Sequence, residues 1–256
     1  ELILVNDGST DNSYNIAVEI AKKDDRIKLI DDHENRGLVY RLNQIIGLAK
    51  GEYIARMDAD DMMMPDKLAK QMDILSKNCS IDVIDTASYT INEKDEPVGV
   101  RGMDELNRTD KKKALKKVFL FHPTIIGKAK WFRKNLYSKD FLRAEDFELW
   151  CRTFDETTFY RIKEPLFLYR EGNVNVNNYN LSMKSVRKIV RQYGPGVLSK
   201  QEYIVEIVKT YLKSGVYNFF ALFNLQQFLA SKRNMKLNNQ QIEEIKHVIS
   251  LIKNKA

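Results

Sequence analysis

Three aspartates within four residues carry the clearest chemistry in the sequence. Asp58, Asp60 and Asp61 follow a short apolar run at residues 53–55. If that run is a β-strand, alternate side chains share a face, so Asp58 and Asp60 point the same way. Two carboxylates on one face repel each other unless a cation or a proton lies between them. Hard divalent cations with phosphate co-ligands suit such a pair, whereas the alternative is a solvated acidic turn that merely ends a strand.

The order of local patterns predicts the elements that position these acids. Apolar runs at residues 2–5, 27–30 and 53–55 alternate with two stretches of helical spacing, at 13–21 and 38–49. A strand–helix–strand–helix–strand order predicts a parallel sheet with right-handed crossovers. Ligands of such sheets bind at the carboxyl ends of the strands, which is where the three aspartates lie.

Other polar residues also stand where predicted elements end. Asp7 follows the first apolar run, His122 precedes an apolar run at 125–127, and Glu145 and Asp146 begin a predicted helix. A carboxylate at a helix N-terminus is kept ionised by the helix dipole. Each residue also has a purely structural interpretation: an Asx-turn for Asp7, a buried histidine before proline, and an acidic helix cap.

Bulk composition limits the class of protein. The chain has 256 residues, 43% hydrophobic and 30% charged, enough for one large domain or one domain plus an appendage. No apolar run approaches the roughly 20 residues that span a bilayer, and no secretory signal is visible. The two cysteines, Cys79 and Cys151, lie far apart. This usage predicts a reducing cytoplasm and argues against a disulfide framework.

Positive charge is concentrated in the C-terminal part of the chain. Residues 182–256 carry 13 Lys and Arg against four Asp and Glu, a net charge of +9, whereas residues 1–181 carry 29 against 31. This predicts contact with an anionic membrane surface or lipid-linked phosphate, and the alternative is a solvated helical face. Aromatic side chains at helical spacing in 201–230 are typical of a core or a dimer interface. Basic and aromatic residues do not interleave on strands, so we expect no nucleic-acid partner.

The order of four motifs carries a family resemblance. LILVNDGSTDNS, NRGLVYRLNQIIGLAKGEYIARMDADD, FHPT and RAEDFELW follow one another within residues 1–170. Together they resemble glycosyltransferase family 2 of the GT-A fold, and the second resembles bacterial enzymes that build cell-surface polysaccharide or lipopolysaccharide. The resemblance implies an α/β, Rossmann-like domain at 1–180, with a mostly parallel sheet flanked by helices, and a helical C-terminal region at 181–256.

Members of this family normally have one more strand–helix unit, on the order of 30 residues, before the first motif. That strand normally lies beside residues 2–5 and helps to hold the nucleotide base. We therefore expect an unpaired sheet edge there and an incomplete nucleotide pocket.

The resemblance also implies roles for the donor-site residues. Asp58 and Asp60 match the DxD motif, which binds the metal, Mn²⁺ or Mg²⁺, and the nucleotide-sugar. Asp61 is expected to orient the loop or the sugar. Asp7 matches the acid that accepts a hydrogen bond from uracil, and Gly37 matches a loop glycine that lets the backbone approach the donor.

At the acceptor side, Asp146 matches the catalytic base, Glu145 is expected to contact acceptor hydroxyls, and His122 is expected near the acceptor or the phosphates. The implied enzyme is a metal-dependent, inverting hexosyltransferase. It moves a sugar from a nucleotide-sugar, expected to be a UDP-sugar, to a glycan or lipid-linked acceptor in surface polysaccharide biosynthesis. It would act in the cytoplasm, with possible peripheral binding to the inner face of the membrane.

Two alternatives stay open at this point. A sugar nucleotidyltransferase needs an early Gly-rich loop with a basic residue that grips triphosphate, which the sequence does not show. A non-catalytic nucleotide-sugar-binding module predicts nucleotide binding without turnover.

Overall fold

The protein is described here by a computed structural model that covers residues 1–104, 106 and 110–254. Within these residues the strands are β1 Leu2–Asn6, β2 Ile27–Asp31, β3 Tyr53–Ala55, β4 Met62–Met63, β5 Val83–Ile91, β6 Pro97–Arg101, β7 Ile126–Lys128 and β8 Phe159–Arg170. The helices are α1 Ser13–Ala21, α2 Leu38–Leu48, α3 Lys67–Lys77, α4 Lys111–Lys116, α5 Ala129–Lys134, α6 Glu145–Thr153, α7 Val176–Tyr193, α8 Lys200–Ala221, α9 Gln226–Ser231 and α10 Asn239–Lys253.

The described strands form two sheets. β1 and β2 pair in parallel, and the larger sheet has the order β3–β7–β5–β8–β4, with β6 on β5. The α/β class is as predicted, but the larger sheet is mixed, because β5 and β8 are its one parallel pair among the described strands. β3 pairs antiparallel with β7 instead of joining β1 and β2. The apolar runs do not encode direction, and a hairpin reverses the chain between β5 and β6.

Two elements are only partly visible as local patterns in the sequence. β8 has 12 residues, but its one continuous apolar run is at residues 166–169, since polar and charged side chains occupy much of its first half. The lysine-rich stretch after residue 110 forms only the short helix α4. α7 runs across residues 180 and 181, where the sequence predicted a domain boundary, and residues 255 and 256 of that predicted C-terminal region lie outside the description.

The C-terminal region is helical, as expected. α8 begins with a capping box in which Ser199 and Glu202 bond each other's backbone N–H groups, and Asn238 and Gln241 do the same for α10. In the part of the chain that the structure describes, no helix has the length and apolarity required to cross a membrane.

An aromatic cluster fixes α6, the helix that begins with Glu145. Trp150 is completely buried and stacks on Trp131 with ring centroids 6.2 Å apart. Phe159 of β8 meets the Trp150 ring edge-on at 5.8 Å. These contacts hold the helix against the large sheet, so the position of its first turn is set by core packing.

A buried ion pair fixes the chain before His122. Asp85 of β5 is fully buried, and Arg161, its register partner on β8, donates to it from Nε at 3.0 Å. Asp85 also accepts from the Phe121 N–H at 2.7 Å, and the Arg161 guanidinium donates to the Phe119 carbonyl. Burial raises the pKa of Asp85, while Arg161 and the Phe121 N–H act against that rise.

We expect Arg161→Leu to lower the free energy of unfolding by about 3–5 kcal/mol, because it leaves the Asp85 charge buried without a partner. Urea denaturation at neutral pH measures the loss. The double variant Asp85→Asn, Arg161→Leu should lose clearly less free energy of unfolding than Arg161→Leu does, since no uncompensated charge is left in the core. Equal losses in the two variants would contradict a role for charge pairing.

Candidate active site

The acidic turn at residues 58–61 is held in place by Arg170, the last residue of β8. The Arg170 backbone N–H donates to Asp61 Oδ1 at 2.7 Å, and its Nε donates to the Asp60 carbonyl at 2.8 Å. Asp61 is 7% exposed, whereas the Asp60 side chain is exposed to solvent. The turn therefore buries one carboxylate as an anchor and leaves Asp60 free to bind a ligand.

Charge in this turn is incompletely neutralised. The pKa of Asp61 is raised to about 7, mainly by burial and in addition by the negative charges of Asp58 and Asp60, whereas the Arg170 N–H and Arg56 lower it. Asp61 Oδ2 is buried and has no hydrogen-bond partner among the described residues. Among the described residues, no group of three or more His, Cys, Asp and Glu side chains could hold a metal ion. A pair of carboxylates nevertheless fits a cation such as Mg²⁺, which usually takes its other ligands from phosphates and water.

Arg56 is a residue of this stretch that the sequence alone did not predict to belong to the site. Its Nη2 lies 2.5 Å from Asp58 Oδ1, and its Nη1 is buried with no hydrogen-bond partner among the residues that the structure describes. The signal was present, because Arg56 lies two residues before Asp58 and so shares its face of the chain. Its positive charge acts on the carboxylates and on His122.

A cavity of about 720 Å³ brings together four of the predicted site residues. They are Asp58 from the acidic turn, His122, and Glu145 and Asp146 from α6. Arg56 also lines the cavity. A second cavity of about 510 Å³, beside α7, contains none of the predicted site residues. The larger cavity is therefore the candidate active site.

Asp146 has the properties of a general base. Its Oδ1 accepts the N–H of Phe147 at 2.7 Å in the first turn of α6. The pKa of Asp146 is raised to about 6 overall. Burial is the largest cause and the Glu145 charge is the next, while the Phe147 N–H and Arg56 lower the pKa. A carboxylate with a pKa near the working pH is suited to accept a proton and release it again.

His122 is a neutral group in the cavity wall. It is 7% exposed, and its Nε2 lies 2.8 Å from the Tyr137 hydroxyl. Burial, and then the charge of Arg56, lower the pKa of His122 well below its ordinary value. Its ring also meets Trp150 edge-on, with the ring centroids 6.0 Å apart. These contacts fix the ring and leave it uncharged near neutral pH.

Asp7 and Gly37 lie together at the start of α2. The Asp7 carboxylate accepts the N–H groups of Arg36 and Gly37 at 2.8 and 3.0 Å, and Arg41 Nε at 2.8 Å. Burial raises the pKa of Asp7, but these donors outweigh it and lower the pKa below its usual value. Gly37 has a φ of 81°, which favours glycine. The residue of this region that lines the cavity is Leu38.

The C-terminal region adds two residues to the cavity wall, Arg233 and Met235. Met235 forms an antiparallel bridge with Val100 of β6, with two hydrogen bonds of 3.0 Å. Asn234 accepts from Arg101 Nε and donates to Glu171 at 3.0 Å. No local pattern predicts this contact, because more than a hundred residues separate the two partners.

Comparisons of sequence identify similar proteins. The profile described as "Glycosyl transferase family 2" matches residues 1–141. "Putative glycosyltransferase EpsE" of Bacillus subtilis is 37% identical over 179 residues, which are 68% of this chain and 63% of EpsE. An "Uncharacterized glycosyltransferase" of Haemophilus influenzae is 28% identical over 263 residues, covering 97% of this chain and 81% of that protein. The chain thus spans less than two thirds of the length of EpsE.

Comparisons of structure identify GT-A glycosyltransferases. S. aureus TarS, residues 1–349 in complex with UDP-GlcNAc, has a TM-score of 0.57 and 15% identity, covering 82% of this chain and 62% of that chain. The mannosyltransferase PcManGT from Pyrobaculum calidifontis, in complex with GDP-Man and Mn²⁺, has a TM-score of 0.55 and 15% identity, covering 98% and 71%. At these identities the likeness shows the fold.

We expect two substitutions to move the pKa of Asp146 in opposite directions. Arg56→Met removes a nearby positive charge and should raise it, whereas Glu145→Gln removes a negative charge and should lower it. The ¹³C shift of the Asp146 carboxyl carbon, followed against pH, measures both, and thermal unfolding checks that each variant folds. A shift in the same direction in both variants would contradict the electrostatic assignment.

Proposed function

The chain belongs to glycosyltransferase family 2, and on that premise we propose that it transfers a sugar from a UDP-sugar to a hydroxyl of a glycan or lipid-linked acceptor, inverting the anomeric configuration. The observation that carries this proposal is the shared cavity. It places Asp58 of the acidic turn and Asp146 of α6 on the walls of one space. A donor site and a base must face the same reacting carbon for a direct displacement.

The donor side of the proposal rests on Asp7 and on the structural neighbours. Three donors occupy the Asp7 carboxylate, two of them on Oδ1 and one on Oδ2. A carboxylate has about four acceptor positions, so Oδ2 retains one for the N3–H of uracil. TarS has been crystallised with UDP and with UDP-GlcNAc, which supports a UDP-sugar here.

A divalent cation, Mn²⁺ or Mg²⁺, belongs to the proposal. Asp58 and Asp60 would hold it, and Asp61 would support the turn behind them. When bound, it supplies Lewis-acid stabilisation of the leaving diphosphate. Asp61 Oδ2, which has no hydrogen-bond partner in the described part of the chain, and the charges of Asp58 and Asp60, which help to raise the pKa of Asp61, fit a turn that a bound cation would stabilise.

Asp146 acts as the base in the proposed reaction. Its carboxylate accepts the proton of the acceptor hydroxyl while that oxygen attacks the anomeric carbon. The bond from that carbon to the diphosphate oxygen breaks, and the nucleoside diphosphate leaves with the electron pair. Attack opposite the leaving group gives a β-linkage from an α-linked donor. Glu145 and His122 lie in the same wall and would position the acceptor.

Arg233 adds a positive charge to the same cavity. It makes no ion pair with any residue in the described ranges, and its Nη2 donates to the Tyr217 hydroxyl. A guanidinium that lines a cavity without a carboxylate partner suits a phosphate group. We assign Arg233 to binding the diphosphate of the donor. We place the proposed reaction at the cytoplasmic face of the membrane, where the synthesis of surface polysaccharides begins.

We expect Asp146→Asn to lower the rate of UDP release by about 10²–10⁴-fold and to leave UDP binding unchanged, because it removes the base and keeps the shape. In wild type the rate should fall as the pH drops through about 6, since Asp146 must be deprotonated to accept a proton. The matched control is Asp155→Asn, which makes the same chemical change at an exposed position after α6. Glu148→Gln, on the same helix as Asp146, is less suitable because it would alter a buried ion pair.

The two alternatives give different outcomes in the same assay. A binding module would bind UDP but release none from any UDP-sugar in wild type. A nucleotidyltransferase would release pyrophosphate from a nucleoside triphosphate. Either result would contradict the proposed transfer.

A further inference from the structure

Helix α8 presents a full apolar face to solvent. Its opposite face is the one that packs against the protein and buries Glu206, Thr210 and Tyr217. The exposed face carries large apolar side chains three or four residues apart, and the same row continues for one residue past the end of the helix, each side chain being 45–63% exposed. We call these residues the α8 stripe: Ile204, Val208, Leu212, Val216 and Phe219 on α8, and Phe223 two residues after it.

The size of the α8 stripe indicates that it binds something. Six large side chains, each about half exposed, present on the order of 700 Å², above the roughly 300–600 Å² of the largest patch on a typical monomer. Leu222, beside the stripe, is 77% exposed. The packed face of α8 buries the polar side chains of Glu206, Thr210 and Tyr217, and the large apolar side chains lie on the solvent side. Because an apolar helix face normally lies buried, we expect the stripe to be covered by a binding partner.

Positive charge borders the stripe on both sides. Lys213 follows one edge of α8, and Arg187 of α7 lies over the Tyr211 ring at 4.2 Å on the other edge. Lys209, on the same edge as Lys213, forms an ion pair of 2.7 Å with the buried Glu206, which is the one acidic residue of α8 after Ile204. The surroundings match the sequence, where residues 182–256 carry 13 cationic and four anionic side chains.

We propose that the α8 stripe docks on an anionic lipid surface, with α8 lying in the plane of the interface. Apolar side chains would enter the boundary between headgroups and acyl chains, and the bordering cations would meet anionic headgroups. A second copy fits less well, because pairing two stripes would bring their positive borders together. Docking does not depend on the proposed transfer reaction, although it would bring the cavity to the surface where a lipid-linked acceptor lies.

The test is co-sedimentation of the full 256-residue chain with phosphatidylcholine vesicles, with and without phosphatidylglycerol. Wild type should sediment with the anionic vesicles, less so at high salt. Leu212→Glu should weaken this binding by about tenfold or more. Lys213→Glu should weaken binding to the anionic vesicles alone. The matched control is Leu68→Glu, an exposed leucine on α3 that is 43% exposed, and it should bind as wild type does.

Two results would overturn the proposal. One is wild type that stays in solution with anionic vesicles, and the other is equal loss in Leu212→Glu and Leu68→Glu. Light scattering tests whether a second copy of the chain covers the stripe instead. If wild type is a dimer that does not bind vesicles, and Leu212→Glu converts it to a monomer, the stripe is a dimer interface and docking on lipid is refuted. UDP binding is measured in each variant. Vesicle binding that persists without UDP binding would support docking and count against the proposed transfer.

Discussion

Burial of carboxylates beside the largely enclosed Arg56 guanidinium dominates the electrostatics of the site. Asp58 forms an ion pair with that guanidinium, and the positive charge of Arg56 also lowers the pKa values of Asp61 and Asp146. Burial is the main cause that raises the pKa of Asp61 to about 7 and that of Asp146 to about 6, and the charges of neighbouring carboxylates add to it. The fold therefore keeps buried, incompletely paired carboxylates at the place where a cation and a diphosphate are proposed to bind.

Holding these buried carboxylates in place requires rigid support, which distant parts of the chain provide. Arg170 fixes the acidic turn from the end of β8, and the Asp85–Arg161 pair fixes the strand ends before His122. The buried Trp150 holds α6 against the sheet, so Asp146 faces the cavity from a helix that cannot easily rotate. Each support joins segments far apart in sequence, and the site is consequently a product of the whole fold rather than of a single loop.

The sequence predicted those features of the site that depend on residues close together in the chain. The acidic turn after an apolar strand and the acidic start of α6 were both visible, because strand ends and helix starts have short-range signals. The direction of strand pairing was not visible, since it depends on which distant strands meet. Arg233 and Met235 were missed for the same reason, because a bridge to Val100 places them in the cavity. Arg56 was missed although it lies in the quoted motif, since its role appears only with its partners.

Calorimetric titration of UDP shows whether the acidic turn is a cation-dependent nucleotide site. The titration is done with and without Mn²⁺ in wild type, in Asp60→Ala and in Asp66→Ala, whose aspartate lies just outside the turn. We expect binding that requires Mn²⁺, is lost in Asp60→Ala and is kept in Asp66→Ala. Binding that is equal with and without Mn²⁺, or that survives Asp60→Ala, would contradict this expectation.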